Sequence, residues 1–298
     1  PADQPVPGAD IADPDSGEAM TFRLTVLCEN SVEHIVPGGL IGEHGFACHL
    51  RTPAGDYLFD TGGGLGLAHN SRQLKLDLAA LQAVILSHGH RDHSGGLPIA
   101  LQRHDSLPVY AHPLVFRERY GGPAEQRRAI GLPQTRAELE ALGARFRLSR
   151  RPQQIAPGIL LSGEVPRRHP PSLVEPNLTL LGPAGQLRPD PLEDDQSLFL
   201  TSDRGLVILL GCAHAGLLNI IDHARALTGI ERIHLLLGGT HLNACPETQL
   251  EELIRQLAVV PIDRIGVAHC TGRRPAHRLA EHFPAGFFYA SVGKVVEV

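Results

Sequence analysis

Along most of the chain, short apolar runs alternate with stretches whose apolar residues recur at helical spacing, the pattern of helices packed over sheet. Residues 22–28, 46–50 and 57–59 read as strands. Thr52-Pro53-Ala54-Gly55-Asp56 turns the chain between the last two into a hairpin. Residues 83–86 form a further buried strand, 96–103 open a helix, 109–111 return as strand and 136–142 form a short helix. Residues 166–191 are rich in Pro and lack periodicity, which predicts a long loop over the sheet. A strand pair is expected at 196–201 and 206–210. Helix 217–227, strand 233–237, helix 247–257, strand 265–268, helix 276–282 and two closing strands follow. Residues 1–19 carry Pro, Gly, Asp and Ala with almost no periodicity and read as a disordered N-terminal extension. That leaves 20–298 as one folded domain, with no internal repeat and no shift in composition to divide it.

Composition removes several classes of function. A net charge of -5 argues against a nucleic-acid partner, which would need a surplus of Lys and Arg. Aromatic residues make up 4% of the chain and Trp is absent, so platforms for stacking bases are few. Cys28, Cys48, Cys212, Cys245 and Cys270 form no CxxC pair, which points to a reducing compartment, the cytoplasm, rather than to a disulfide-stapled secreted fold. There is no run of about 18 apolar residues and no basic-then-apolar leader, so no membrane partner is expected. What stands out is histidine, at 17 residues.

Those histidines cluster where strands end. The apolar run 83–86 leads into Ser87-His88-Gly89-His90-Arg91-Asp92-His93-Ser94-Gly95-Gly96. Three imidazoles and a carboxylate then sit at the carboxyl edge of a buried strand, where open α/β sheets place their sites. Imidazole nitrogens and carboxylate oxygens are ligands for zinc, iron or manganese, and the flanking glycines let the backbone turn tightly enough for them to converge. The same layout of strand followed by ligand recurs at Gly211-Cys212-Ala213-His214 and at His269-Cys270-Thr271-Gly272.

His88-x-His90-x-Asp92-His93 resembles the HxHxDH signature of the metallo-β-lactamase superfamily, and Asp60-Thr61-Gly62 resembles the aspartate motif that precedes it. The resemblance runs from Thr21 onward and implies a four-layer αββα sandwich in a single α/β domain. It also implies two divalent metal ions, zinc first, with manganese or iron as alternatives. His88, His90 and His214 would hold one ion and Asp92, His93 and His269 the other, with Asp60 orienting a ligand from behind. Cys212 stands where many members carry a bridging Asp and some a metal-binding Cys. A further ligand is sought among His169, Asp194 and Asp195. Gly42-Glu43-His44-Gly45 and Gly238-Gly239-Thr240-His241-Leu242 are similar to a branch containing dihydropterin ribofuranosylaminobenzene phosphate synthase-like proteins.

The leading expectation is a metal-dependent hydrolase that uses an activated hydroxide on a small anionic substrate, a phosphoester or ester. Asp92 would serve both metal and nucleophile, and His241 would donate a proton or stabilise charge. Arg273 and Glu43 are the candidate substrate contacts, Arg273 through paired hydrogen bonds to an anion. Two other classes stand beside this reading: a non-hydrolytic pterin-pathway synthase or di-iron redox protein on the same fold, and a catalytically silent binding protein. A small-molecule substrate is the expected partner and a homodimer the candidate assembly.

Overall fold

The computed structural model describes residues 21–170, 177–182 and 184–298; the extension read at 1–19 lies outside them. The first half runs β1 (Arg23–Cys28), β2 (Ala47–Thr52), β3 (Gly55–Phe59), α1 (Leu67–Gln73), β4 (Leu81–Ile85), α2 (Arg91–Ser94), α3 (Leu97–Leu101), β5 (Leu107–Ala111), β6 (Arg119–Gly121), β7 (Arg128–Ala129), α4 (Arg136–Ala141) and β8 (Ala144–Leu148). The second runs β9 (Gln153–Ala156), β10 (Ile159–Leu161), β11 (Thr179–Leu181), β12 (Leu187–Pro189), β13 (Ser197–Ser202), β14 (Gly205–Leu210), α5 (Leu217–Thr228), β15 (Ile233–Gly239), α6 (Glu247–Leu257), β16 (Ile265–Ala268), α7 (Arg273–His282), β17 (Phe287–Tyr289) and β18 (Val295–Glu297).

Two seven-stranded sheets face one another, in the orders β18-β1-β2-β3-β4-β5-β8 and β17-β16-β15-β14-β13-β10-β9. In each, three antiparallel pairings give way to three parallel ones. Side chains alternate across the pleat. Tyr57, Phe59, Ala83 and Ile85 meet Val207, Leu209, Leu235 and Leu237 between the sheets. Leu58 and Val84 face the opposite way, into a second cluster with Leu67, Leu97 and Leu139 of α1, α3 and α4. Leu206, Ile208 and Leu236 pack outward against Ile220, Leu253 and Leu279 of α5, α6 and α7. Helices therefore cover the outer face of each sheet, which gives the four-layer αββα sandwich. Central strands buried on both faces have continuous apolar sequences.

Two departures from the sequence reading bear on function. The segment 166–191 is more than a loop. β11 and β12 within it join β6 and β7 in a third, four-stranded sheet, ordered β12-β11-β6-β7. Strands of two or three residues are too short to show a period, and exposed positions along β12 and β7 leave no apolar stripe. The last long helix begins at Arg273 rather than Ala276: Gly272, at φ +80°, turns the chain out of the His269 loop and opens it.

Candidate metal centre

The first and second sheets end their parallel strands on the same side of the sandwich, and the candidate residues sit there. β3 leads into Asp60, β4 into 86–93, β14 into 211–216, β15 into Thr240-His241 and β16 into His269-Cys270. Four non-glycine residues of these loops adopt left-handed backbone: Asp60 at φ +56°, Ala213 at +58°, His241 at +53° and His269 at +50°. Such conformations cost roughly 1–3 kcal/mol each and persist only where the surroundings hold them. Gly89 shows how tight the packing is. A Cβ there would lie 2.3 Å from the Val115 carbonyl oxygen and 2.4 Å from Arg119 Nη1, so only glycine fits between the two histidines.

His88 Nε2 and His90 Nδ1 stand 3.0 Å apart. With His214 they form one convergent group whose ligand atoms all lie within 4.8 Å of one another. Two nitrogens bound at ~2.0–2.1 Å to one tetrahedral ion are roughly 3.3 Å apart, so the spacing suits a metal. His214 Nε2 is buried without a hydrogen-bond partner, a costly state for a polar atom unless a ligand satisfies it. Burial, reinforced by the neighbouring imidazoles, holds His88 well below the ordinary histidine value and so in the neutral form that binds metals.

A second group forms around Asp92. Its Oδ2 lies 3.1 Å from His269 Nε2, 3.2 Å from His44 Nε2 and 4.0 Å from His93 Nε2. Burial alone would raise this carboxyl, but His93, His269 and His44 hold it well below the usual carboxylate range. Burial would likewise lower His93, yet the Asp60 and Asp92 carboxylates push it up to about 9. The same two carboxylates offer their field to any cation that arrives. Cys212 links the groups: its Sγ is 3.1 Å from His93 Nε2. It belongs to three convergent sets, with His88 and His93, with His214 and His241, and with His269 and Cys270.

The ligand atoms are aimed from behind. Asp60 Oδ2 accepts from His93 Nδ1 at 2.7 Å and from Ser87 Oγ at 2.6 Å; Ser87 Oγ is in turn 2.9 Å from His88 Nδ1. His269 is held by Asn30 Oδ1, 3.0 Å from its Nδ1, and by Glu29, which accepts its backbone N–H at 2.7 Å. In each case Nδ1 is engaged, which leaves Nε2 to face the centre.

Other expectations land differently. His169 Nε2 pairs with Asp222 at 2.7 Å, Asp194 accepts from Arg119 and Gly89, and Asp195 accepts from Ala215, so none of the three enters a convergent group. Glu43 is buried, and its Oε2 accepts from Leu65 N–H at 2.7 Å, so it braces the cavity wall rather than reaching across the cavity. His241 lies beside the first group, its ring 4.2 Å from that of His214. Arg273 is exposed on the cavity rim, whereas Arg274 is engaged by Glu247 and the Cys245 carbonyl. Sequence reading has His44 only within the Gly42-Glu43-His44-Gly45 motif and does not see Glu29 and Asn30. A polar doublet straight after the apolar run 22–28 was the signal available for the latter pair.

The centre forms the floor of a cavity of about 1360 Å³, with Arg91, Arg128, Leu65, Leu178 and Tyr289 around it.

The sequence profile of the metallo-beta-lactamase superfamily matches residues 47–224. The chain is 29% identical over 290 residues to the 7,8-dihydropterin-6-methyl-4-(beta-D-ribofuranosyl)-aminobenzene-5'-phosphate synthase of Methanocaldococcus jannaschii, covering 94% of this chain and 98% of that one. Among solved structures, Tm1679, a metal-dependent hydrolase of the beta-lactamase superfamily, is similar with a TM-score of 0.77 and 26% identity, covering 93% of this chain and 99% of that one. Zinc-bound PqqB from Methylobacterium extorquens shares the fold at a TM-score of 0.54 and 13% identity, over 93% of this chain and 100% of its own.

Proposed function

The chain belongs to the metallo-beta-lactamase superfamily, and from that membership we propose that it is a hydrolase that works with two divalent ions on a small anionic ester or phosphoester. The observation that carries this reading is the pair of adjacent ligand groups, His88/His90/His214 and His44/Asp92/His269, on the floor of one open cavity. His93 and Cys212 lie between them, joining His88 in a third group. The thiol and imidazole donors favour zinc over the oxygen-preferring manganese. Bound there, the ions would polarise the scissile group and lower the pKa of water toward neutrality.

The chain's own residues would do the rest. Asp92 would hold the second ion and accept the proton of the attacking water, a role suited to a carboxylate kept ionised by the imidazoles around it. His241, whose ring lies 4.2 Å from that of His214, donates the proton to the leaving group. Arg128 and Arg273 on the rim, which no carboxylate among the described residues engages, draw in the anion. The cavity exceeds the roughly 300–1,000 Å³ usual for small-molecule sites, which suits a substrate longer than a bare phosphate ester.

A synthase reading is supported by one observation, the similarity over nearly the whole chain to the M. jannaschii enzyme. One experiment separates the two. Protein purified without added metal is assayed for its metals and offered chromogenic phosphodiester, phosphomonoester, thioester and lactam substrates. About two equivalents of zinc with chelator-sensitive turnover is the expected result. A metal-loaded protein that turns over none of the panel would overturn the hydrolase in favour of the synthase.

A further inference from the structure

Three consecutive residues of the segment entering β13 each touch a ligand-bearing loop. Asp194 Oδ2 accepts from the N–H of Gly89, which stands between His88 and His90, at 2.9 Å. Asp195 Oδ2 accepts from the N–H of Ala215, next after His214, at 2.8 Å. Gln196 N–H donates to the Ser87 carbonyl at 2.9 Å. The two loops arise in different sheets, from β4 and from β14, and these bonds join them through one short stretch of chain. Asp194 and Asp195 are both buried, where a carboxylate is kept only at a cost.

Asp194 is itself anchored. Arg119, from β6 of the small third sheet, donates through Nη2 to Asp194 Oδ1 at 2.7 Å and through Nε to Asp190 Oδ2 at 2.6 Å. This guanidinium is among the largest fully buried side chains of the protein, and its Nη1 lies where a Cβ on Gly89 would clash. The chain leaving β7 also meets the His loop directly: Arg91 N–H donates to the Ile130 carbonyl at 2.7 Å and His90 bridges to Gly131. Leu192, at φ +50°, shapes the turn that delivers the two aspartates.

We infer that Asp194 and Asp195 act as a clamp, braced by Arg119, that fixes the His88–His90 loop against the His214 loop and so assembles the three-histidine group before an ion binds. They are positioning residues that act through backbone amides, and the inference rests on the reading that this group holds an ion. Outer partners of metal ligands commonly account for 10–100-fold in affinity.

The test has two arms. In metal-free wild-type protein, the Gly89 and Ala215 amides should exchange with solvent at least a hundredfold more slowly than free peptide; unprotected amides would overturn the clamp without any mutation. In the second arm, zinc affinity is measured by competition with a chromogenic chelator. Asp195→Ala should bind at least tenfold more weakly, while Asp195→Asn, which retains the acceptor for Ala215, should stay within about threefold of wild type. Affinity unchanged in Asp195→Ala, or equally lost in Asp195→Asn, would overturn the proposal. Wild-type protein that takes up no zinc would instead overturn the metal reading, and the exchange arm would still decide whether the clamp exists.

Discussion

At the scale of single residues, what distinguishes the centre is how its imidazoles are held. Asp60, fully buried, is the acceptor on which both Ser87 and His93 depend. Asp60→Ala should therefore weaken zinc binding by about 10–100-fold with the fold retained. Chelator competition measures this, and unchanged affinity would mean that Asp60 does not set the aim of His93. Arg273 on the rim and its neighbour Arg274 separate by their partners. Arg273→Ala should raise KM for an anionic substrate about tenfold, the loss of ~1.5 kcal/mol from one charged hydrogen bond, with metal content and kcat unchanged. Arg274→Ala removes the exposed contact to Glu247 and should leave KM where it was. Steady-state kinetics on the two variants checks both, and equal KM in Arg273→Ala and wild type would remove Arg273 from the substrate site.

Among elements, legibility followed length and period. Strands buried on both faces, such as β14 and β15, announce themselves as apolar runs, and α6 shows one apolar face, with Leu250, Leu253, Ile254 and Leu257 buried. The candidate ligands His88, His90, Asp92, His93, His214 and His269 were legible for the same reason, since each comes shortly after such a run, whereas His44 does not. β6, β7, β11 and β12 were not, because two or three residues carry no period. The pairing of Arg119, from that small sheet, with Asp194 beneath the His loop was hidden with it: the two are 75 residues apart and meet only in the fold. The β2–β3 hairpin shows how a pair fixes register. Arg51 and Asp56 stand opposite one another and join through two bonds of 3.0 and 2.9 Å. Burial alone would raise the Asp56 carboxyl, but the Arg51 bonds and the adjoining His49 hold it below its ordinary 3.8. A carboxyl held low in the folded chain contributes stability above its unfolded value and loses it as pH falls through the lowered one. Asp56→Asn should therefore cost about 0.5–1 kcal/mol at neutral pH, a modest figure because Arg51 is half-exposed, with the gap closing as pH falls below 3.8. Denaturant titrations across pH would show it, and a gap that persists in acid would exclude the carboxylate as its source.

For the molecule as a whole, the centre is a joint. His88, His90, Asp92 and His93 come from the first sheet, and Cys212, His214, His241 and His269 from the second. The sheets share an apolar core along their inner faces, but at this end the material between them is imidazole, thiol and carboxylate, with His214 Nε2 and His90 Nε2 buried and unpartnered. An ion held from both sides would satisfy these buried nitrogens with bonds that cross the sandwich. A ligand bound by the folded state alone stabilises it by about 2.7 kcal/mol at a hundredfold excess over Kd. For a chain of this size, at roughly 2.1 cal/mol/K of unfolding entropy per residue, that corresponds to about 4 °C in Tm. Chelation should lower the melting temperature by that amount, and restored zinc should return it. His88→Ala should melt near the chelated wild type and respond much less to zinc, because it removes one side of the joint. A melting temperature indifferent to zinc in the wild type would mean that these histidines converge without tying the sheets together, and the left-handed turns that present them would then need another source of support.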